Sequence, residues 1–226
     1  EKDTVMTPMD SIRYYKHFLQ AGLMSVNPKT GHVKAYVGGI NYKHFKFDHV
    51  VSSRRQVGST FKPFVYALAM EELGYHPCMK VPNVPVTFEL PDGDTWTPQN
   101  AGDNREGEMV TLKYALANSI NYISAYLMKR MSPQGVINLA RKMGITSPID
   151  PVPAIALGTP DLSVYELVGA LSTFANQGVH IEPMFITRIE DKNGNVVESF
   201  IPEQNEVMSR EAAYRMIELL KGVVDH

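Results

Sequence analysis

The chain has almost no cysteine: Cys78 is the only one in 226 residues. An internal disulfide is therefore excluded, as are paired-cysteine metal sites. No histidine and asparagine arrangement marks Cys78 as a nucleophile, so it reads as a structural residue. The seven histidines show no His-Glu-x-x-His spacing, and no metal site is expected. Neither a Gly-x-Gly-x-x-Gly stretch nor a phosphate-binding loop occurs, so no cofactor is implied. A surplus of one charge is missing too. The 22 Lys and Arg against 24 Asp and Glu leave a formal net charge of −2, without the basic balance that a nucleic-acid partner calls for. No apolar run is long enough to span a bilayer, and no signal-peptide pattern opens the chain. Repeats and low-complexity stretches are also absent.

What is present fits one sizeable core, with room for a lobe or two. Residues 11–20 read as a short helix packing Tyr14, Tyr15, Phe18 and Leu19. Two strands are expected at 21–26 and 32–37, around a turn of Asn27, Pro28 and Gly31. The loop 40–56 is aromatic and basic, and suits either a substrate groove or a packed loop with a solvated rim. A helix over 59–73 ends at Gly74, a residue suited to a C-cap, and Pro63 falls in its first turn, where a missing N–H costs little. Proline-rich 81–104 reads as extended, with a strand near 84–90, and Trp96 is either a core anchor or a groove wall. Helices are expected at 111–117, 120–130, 133–143, 164–177 and 211–220, and a second hairpin at 185–190 and 195–200 around Asp191-Lys192-Asn193-Gly194. The scattered methionines read as core filler.

The chemistry concentrates in Gly58-Ser59-Thr60-Phe61-Lys62-Pro63-Phe64. Positions i and i+3 of a helix share a face, so Ser59 lies beside an amine able to take its proton. A helix starting at Ser59 would also set that hydroxyl at the positive end of the dipole. Ser-x-x-Lys is weak alone, since about one occurs by chance in such a chain. A capping serine followed by a solvated lysine is the plain alternative. Further on stands Asn118-Ser119-Ile120-Asn121. On one helix Ser119 and Asn121 point about 200° apart, so they converge on a cleft only from a turn between two helical pieces.

In this order and context the chain resembles the transpeptidase domain of the bifunctional class A penicillin-binding proteins. The similar stretches are Asn27-Pro28-Lys29-Thr30-Gly31 with Ala35-Tyr36-Val37-Gly38-Gly39, Arg55 through Phe64, Trp96-Thr97-Pro98-Gln99-Asn100, Thr111 through Asn121, Ala156-Leu157-Gly158 and Phe174-Ala175-Asn176-Gln177-Gly178. The resemblance implies an α+β fold of the penicillin-binding-protein and serine β-lactamase type, an antiparallel sheet flanked by helical clusters. It implies a serine D,D-transpeptidase that cross-links peptidoglycan through a Ser59 acyl-enzyme, with Lys62, Ser119 and Asn121 as its other catalytic residues. Gly58, Thr60, Trp96 and Asn100 would bind substrate, and the Ser59 N–H would be half of an oxyanion hole. The implied partners are peptidoglycan stem peptides, β-lactam antibiotics and, through a further domain with glycosyltransferase activity, a lipid-linked precursor. A membrane would be engaged only through an N-terminal anchor, at the periplasmic face of the bacterial inner membrane.

One departure stands out. The single Lys-Thr-Gly, at Lys29-Thr30-Gly31, precedes Ser59 and reads as a hairpin turn. The family's catalytic Lys-Thr-Gly strand belongs after a helix like 211–220. Residues 1–20 are thus expected to be linker and first helix, and 21–226 a transpeptidase domain cut before that strand, with an unpaired sheet edge. The alternatives are a D,D-carboxypeptidase or a non-catalytic module binding cell-wall peptide or β-lactam. A β-lactamase is disfavoured, because no Pro-Glu-x-Leu-Asn type segment supplies a deacylating glutamate.

Overall fold

The computed structural model describes residues 3–90, 93–102 and 105–225. Helix α1 (Pro8–Lys16) precedes the hairpin of β1 (Leu23–Val26) and β2 (Val33–Val37). Strand β3 (Arg55–Gln56) leads through a 3-10 turn, Gly58–Phe61, into α2 (Lys62–Glu72). The proline-rich segment carries β4 (Lys80–Pro82), β5 (Phe88–Glu89) and β6 (Thr95–Trp96). Next come β7 (Met109–Thr111), α3 (Leu112–Ala117), α4 (Asn121–Arg130), α5 (Pro133–Lys142) and a 3-10 turn, Pro153–Leu157. Strand β8 (Asp161–Leu162), α6 (Val164–Ala175), β9 (Val179–Ile181), β10 (Arg188–Glu190), β11 (Val196–Ser199), β12 (Gln204–Glu206) and α7 (Arg210–Val224) complete the order.

The fold is α+β. Its strands pair antiparallel in twos: β1 with β2, β3 with β8, β4 with β7, β5 with β6, β9 with β12 and β10 with β11. Among the described residues these are separate ladders rather than one broad sheet. In the segment of β4 to β6, prolines remove the donors that a longer ladder needs. Residues 91–92 and 103–104 of the expected extended stretch lie outside the described residues.

Helix α2 organises the core. Its residues Lys62 to Met70 are all buried, and α4, α5 and α7 pack around it. A helix apolar on every side is stable only when wrapped in this way. Phe61 and Phe64 are fully buried with ring centroids 4.9 Å apart, and each contributes about 2 kcal/mol of burial.

Two expectations are corrected. The first helix runs Pro8–Lys16 rather than 11–20, because Thr7 caps it, accepting from the Asp10 N–H at 3.2 Å, and Pro8 opens it. None of its residues is buried, and Tyr14, Tyr15 and Leu19 stay more than half exposed. Tyr15 and Phe18 meet Phe45 instead of a core. Cys78, read as a structural residue, is exposed.

Candidate active site

The backbone ladder of β3 and β8 continues into the turn that carries Ser59. The Val57 N–H donates to the Pro160 carbonyl at 3.0 Å and the Gly58 N–H to the Gly158 carbonyl at 2.9 Å. Gly158 has φ +84°, and a Cβ there would lie 1.6 Å from the Gly58 carbonyl oxygen. Only glycine permits this approach. Thr60 Oγ1 closes the turn by donating to the Val57 carbonyl at 2.6 Å. Ser59 therefore sits in a 3-10 turn just ahead of α2, not in the α-helix itself, and its side chain is exposed.

Lys62 is the first residue of α2 and only 1% exposed. Its Nζ donates to Ser119 Oγ at 2.8 Å, the Ser119 carbonyl at 2.6 Å and Asn121 Oδ1 at 2.7 Å. These three acceptors are neutral. Burial brings the amine down from 10.5 to about 8. Ser119 Oγ donates in turn to Ser59 Oγ at 2.9 Å. A continuous line of hydrogen bonds thus runs from an exposed hydroxyl, through a second, to a buried amine.

Ser119 and Asn121 converge because α3 and α4 are separate helices. Ser119 lies between them in the left-handed region, φ +52°, and its N–H donates to the Leu116 carbonyl at 3.0 Å. A side chain in that conformation costs about 1 kcal/mol. Ile120 precedes α4 and offers no side-chain cap. The cap comes from a distant loop: Asn100 Oδ1 accepts from the Asn121 N–H at 3.0 Å and the Tyr122 N–H at 3.2 Å. Asn121 Nδ2 donates to the Gln99 carbonyl at 2.7 Å, which leaves its Oδ1 turned to Lys62.

Ser59, Lys62, Ser119 and Asn121 therefore lie in one hydrogen-bonded cluster, and the other four expected site residues have different surroundings. Gly58 contributes its backbone to the turn, and Thr60 a bond within it. Trp96 is half-buried, with its ring 5.5 Å from that of Phe88 and packed against the core. Asn100, expected to touch substrate, has its amide engaged inside the fold, with Nδ2 donating to Asn83 Oδ1 at 3.3 Å. No sequence pattern marks Asn83, and Gly158 is marked only within the Ala156-Leu157-Gly158 stretch, since contacts across such sequence distances carry no local pattern.

Lys29-Thr30-Gly31 forms the turn between β1 and β2, with the Gly31 N–H donating to the Asn27 carbonyl at 2.9 Å. A cavity of about 460 Å³ is lined by Arg54, Tyr165, Glu166 and His180 among others, and by none of the four clustered side chains. Glu166 there accepts six hydrogen bonds, from Thr146, Ser147 and Ser163. Its burial raises the carboxyl, but bonds from Ser163 and Ser147 outweigh this and hold it at about 2. Among the described residues no group of three or more His, Cys, Asp and Glu could hold a metal ion. Nor is any helix among them long and apolar enough to cross a membrane.

Comparison with known proteins adds to this geometry. The profile of the penicillin-binding protein transpeptidase domain matches residues 6–151. Penicillin-binding protein 1A of Aquifex aeolicus is 34% identical over 207 residues, covering 91% of this chain and 28% of that protein. Penicillin-binding protein 2D of Bacillus subtilis is 31% identical over 208 residues, with 92% and 30% covered. The chain thus spans less than a third of the length of these relatives. Among solved structures, penicillin-binding protein 1A from Haemophilus influenzae superposes with a TM-score of 0.83 at 24% identity, over 91% of this chain and 35% of that one. Penicillin-binding protein A from M. tuberculosis, solved as an imipenem acyl-enzyme complex, superposes at 0.74 with 18% identity, over 90% and 57%.

Proposed function

The chain belongs to the penicillin-binding protein transpeptidase family, and on that premise we propose that it forms an acyl-enzyme at Ser59 and cross-links peptidoglycan stem peptides as a D,D-transpeptidase. The observation that carries this reading is the line Ser59 Oγ, Ser119 Oγ, Lys62 Nζ, with contacts of 2.9 and 2.8 Å.

A serine hydroxyl is a poor nucleophile without a base. With Lys62 neutral, its lone pair accepts the Ser119 proton while Ser119 accepts that of Ser59. Ser59 Oγ then bonds to the carbonyl carbon of the penultimate D-alanine. As the C–N bond breaks, the proton returns through Ser119 to the leaving amine of the terminal D-alanine. A stem-peptide amine attacks the ester along the same path in reverse and releases Ser59. The Ser59 N–H stabilises the oxyanion. A β-lactam carbonyl enters at the first step and stays as the ester. The relatives' names and the acyl-enzyme complex of the M. tuberculosis protein support this part. The reading extends to a periplasmic site of action at the inner membrane and, for a longer parent protein, to a glycosyltransferase domain acting on lipid-linked precursor.

Incubation with a β-lactam followed by intact-mass measurement tests the proposal. One covalent adduct, absent from Ser59→Ala, is the expected result. An adduct that persists in Ser59→Ala, or none on folded protein, counts against Ser59 as nucleophile. Supplying a D-Ala-D-Ala peptide with an amine acceptor then separates cross-linking from release of the free acid, the product of a carboxypeptidase.

A further inference from the structure

Helix α4 begins without a side-chain cap of its own. In an ordinary helix the preceding residue satisfies the first N–H groups with a short polar side chain, but Ile120 cannot. Asn100, twenty-one residues upstream of Asn121, supplies the missing acceptor with one oxygen that takes both the Asn121 and Tyr122 N–H groups. Its amide nitrogen is anchored on the side chain of Asn83, a residue with no exposed surface. The adjoining Gln99 carbonyl takes the Asn121 side-chain N–H. One short loop therefore fixes both the backbone and the side-chain orientation of Asn121. The residue two before Asn121 is Ser119, which presents its hydroxyl and carbonyl to the same amine.

We propose that Asn100 is a positioning residue: by capping α4 from outside, it holds Asn121 Oδ1 and the Ser119 turn in register around the Lys62 amine. The inference rests on the reading of Ser59, Ser119 and Lys62 given above. Without the Asn100 side chain, two N–H groups at the positive end of α4 lose their acceptor, the loop loses its tie to that helix, and the Asn121 amide is held by the Gln99 carbonyl alone. Lys62 then loses one of three fixed acceptors, and the relay to Ser59 loses its alignment. A misplacement of about 1 Å in such a constellation costs on the order of 10²-fold in rate.

The experiment compares the wild-type chain with Asn100→Ala and Asn100→Asp, after thermal melts establish that each is folded. Two quantities are read: the NMR titration of the Lys62 amine, and β-lactam acylation rate against pH. Aspartate caps a helix as well as asparagine does, so Asn100→Asp keeps the acceptor for the two α4 N–H groups, gives up the N–H donated to Asn83 Oδ1, and adds a negative charge. It should retain most of the maximal rate while moving the Lys62 midpoint and the rising limb of acylation upward by about half a pH unit or more. Asn100→Ala should acylate roughly 10- to 100-fold more slowly, with an altered Lys62 titration. If Asn100→Ala does not fold, Asn100→Ser, neutral and of shorter reach, is read in its place. A folded, uncharged variant whose acylation rate, Lys62 titration and pH profile all match wild type overturns the proposal, whereas the midpoint shift of Asn100→Asp follows from its charge alone. If wild type is not acylated, the Ser59 reading fails by itself, and the Lys62 titration still judges Asn100.

Discussion

Lys62 is asked to be two things that ordinarily conflict, a buried residue and a lysine. Burial with neutral acceptors resolves the conflict by bringing the amine to about 8, so that roughly a tenth of the molecules hold it neutral at pH 7. Acylation should therefore rise with pH through about 8 and then level, as followed by intact mass or a chromogenic β-lactam. A flat profile between pH 6 and 10 would rule out Lys62 as the base. Lys62→Arg keeps the charge but never releases the proton, and should lower the acylation rate by roughly 10²- to 10⁴-fold. The linkage has a definite sign. The folded-state value lies below that of the unfolded chain, so between about 8 and 10.5 the unfolded state binds more protons and stability rises with pH. Lys62→Met, which has no proton to lose, should remove that part of the rise in denaturant titrations.

At the scale of elements, much of the fold is written in caps. Thr111, Ser132, Ser163 and Ser209 each accept a backbone N–H at the start of α3, α5, α6 and α7, within a residue or so of where the sequence pattern sets these helices. The break between α3 and α4 was legible too, because Ser119 and Asn121 cannot share a face of one helix. What escaped was non-local or too short. Two-residue strands such as β3 and β8 have no period to detect, and the cap from Asn100 joins loops far apart in sequence. The apolar pattern sets the start of α1 at 11, although Thr7, Pro8 and Asp10 carry a local cap signature. Two substitutions probe these junctions. Gly158→Ala sets a Cβ 1.6 Å from the Gly58 carbonyl oxygen, a backbone atom that must move and take Ser59 with it. It should cost about 2–4 kcal/mol and slow acylation, read from melts and adduct formation. The capping box of α6 extends into a buried carboxylate site, where Glu166 joins the 146–147 loop to Ser163. Glu166→Gln turns an N–H₂ toward donors. Because the carboxyl lies at about 2 when folded against 4.5, the loss should be on the order of 3 kcal/mol at pH 7. That stabilisation is fully present above about 4.5 and fades as pH falls toward 2, so the gap in melting temperature between wild type and Glu166→Gln should narrow over this window.

Across the whole molecule, stability and chemistry share one centre. The core cluster gathers around α2 and draws on α3, α4, α5 and α7, so the helix that begins with Lys62 is the most enclosed helix among the described residues. The periphery contrasts with it. Helix α1 has no buried residue, and every residue of β10 and β11 is exposed. Opening free energies follow burial and contact density, from near zero at such edges to the global value at the centre. Amide hydrogen exchange followed by mass spectrometry should therefore show α1 and the β10–β11 hairpin exchanging early, while amides of α2 and α4 persist until global unfolding. The order has a functional consequence. The relay depends on the α2 and α4 ends, so conditions that melt α1, such as mild denaturant, should leave β-lactam acylation intact until α2 itself begins to exchange. Loss of acylation in step with α1, well before α2, would show instead that the periphery holds the site together.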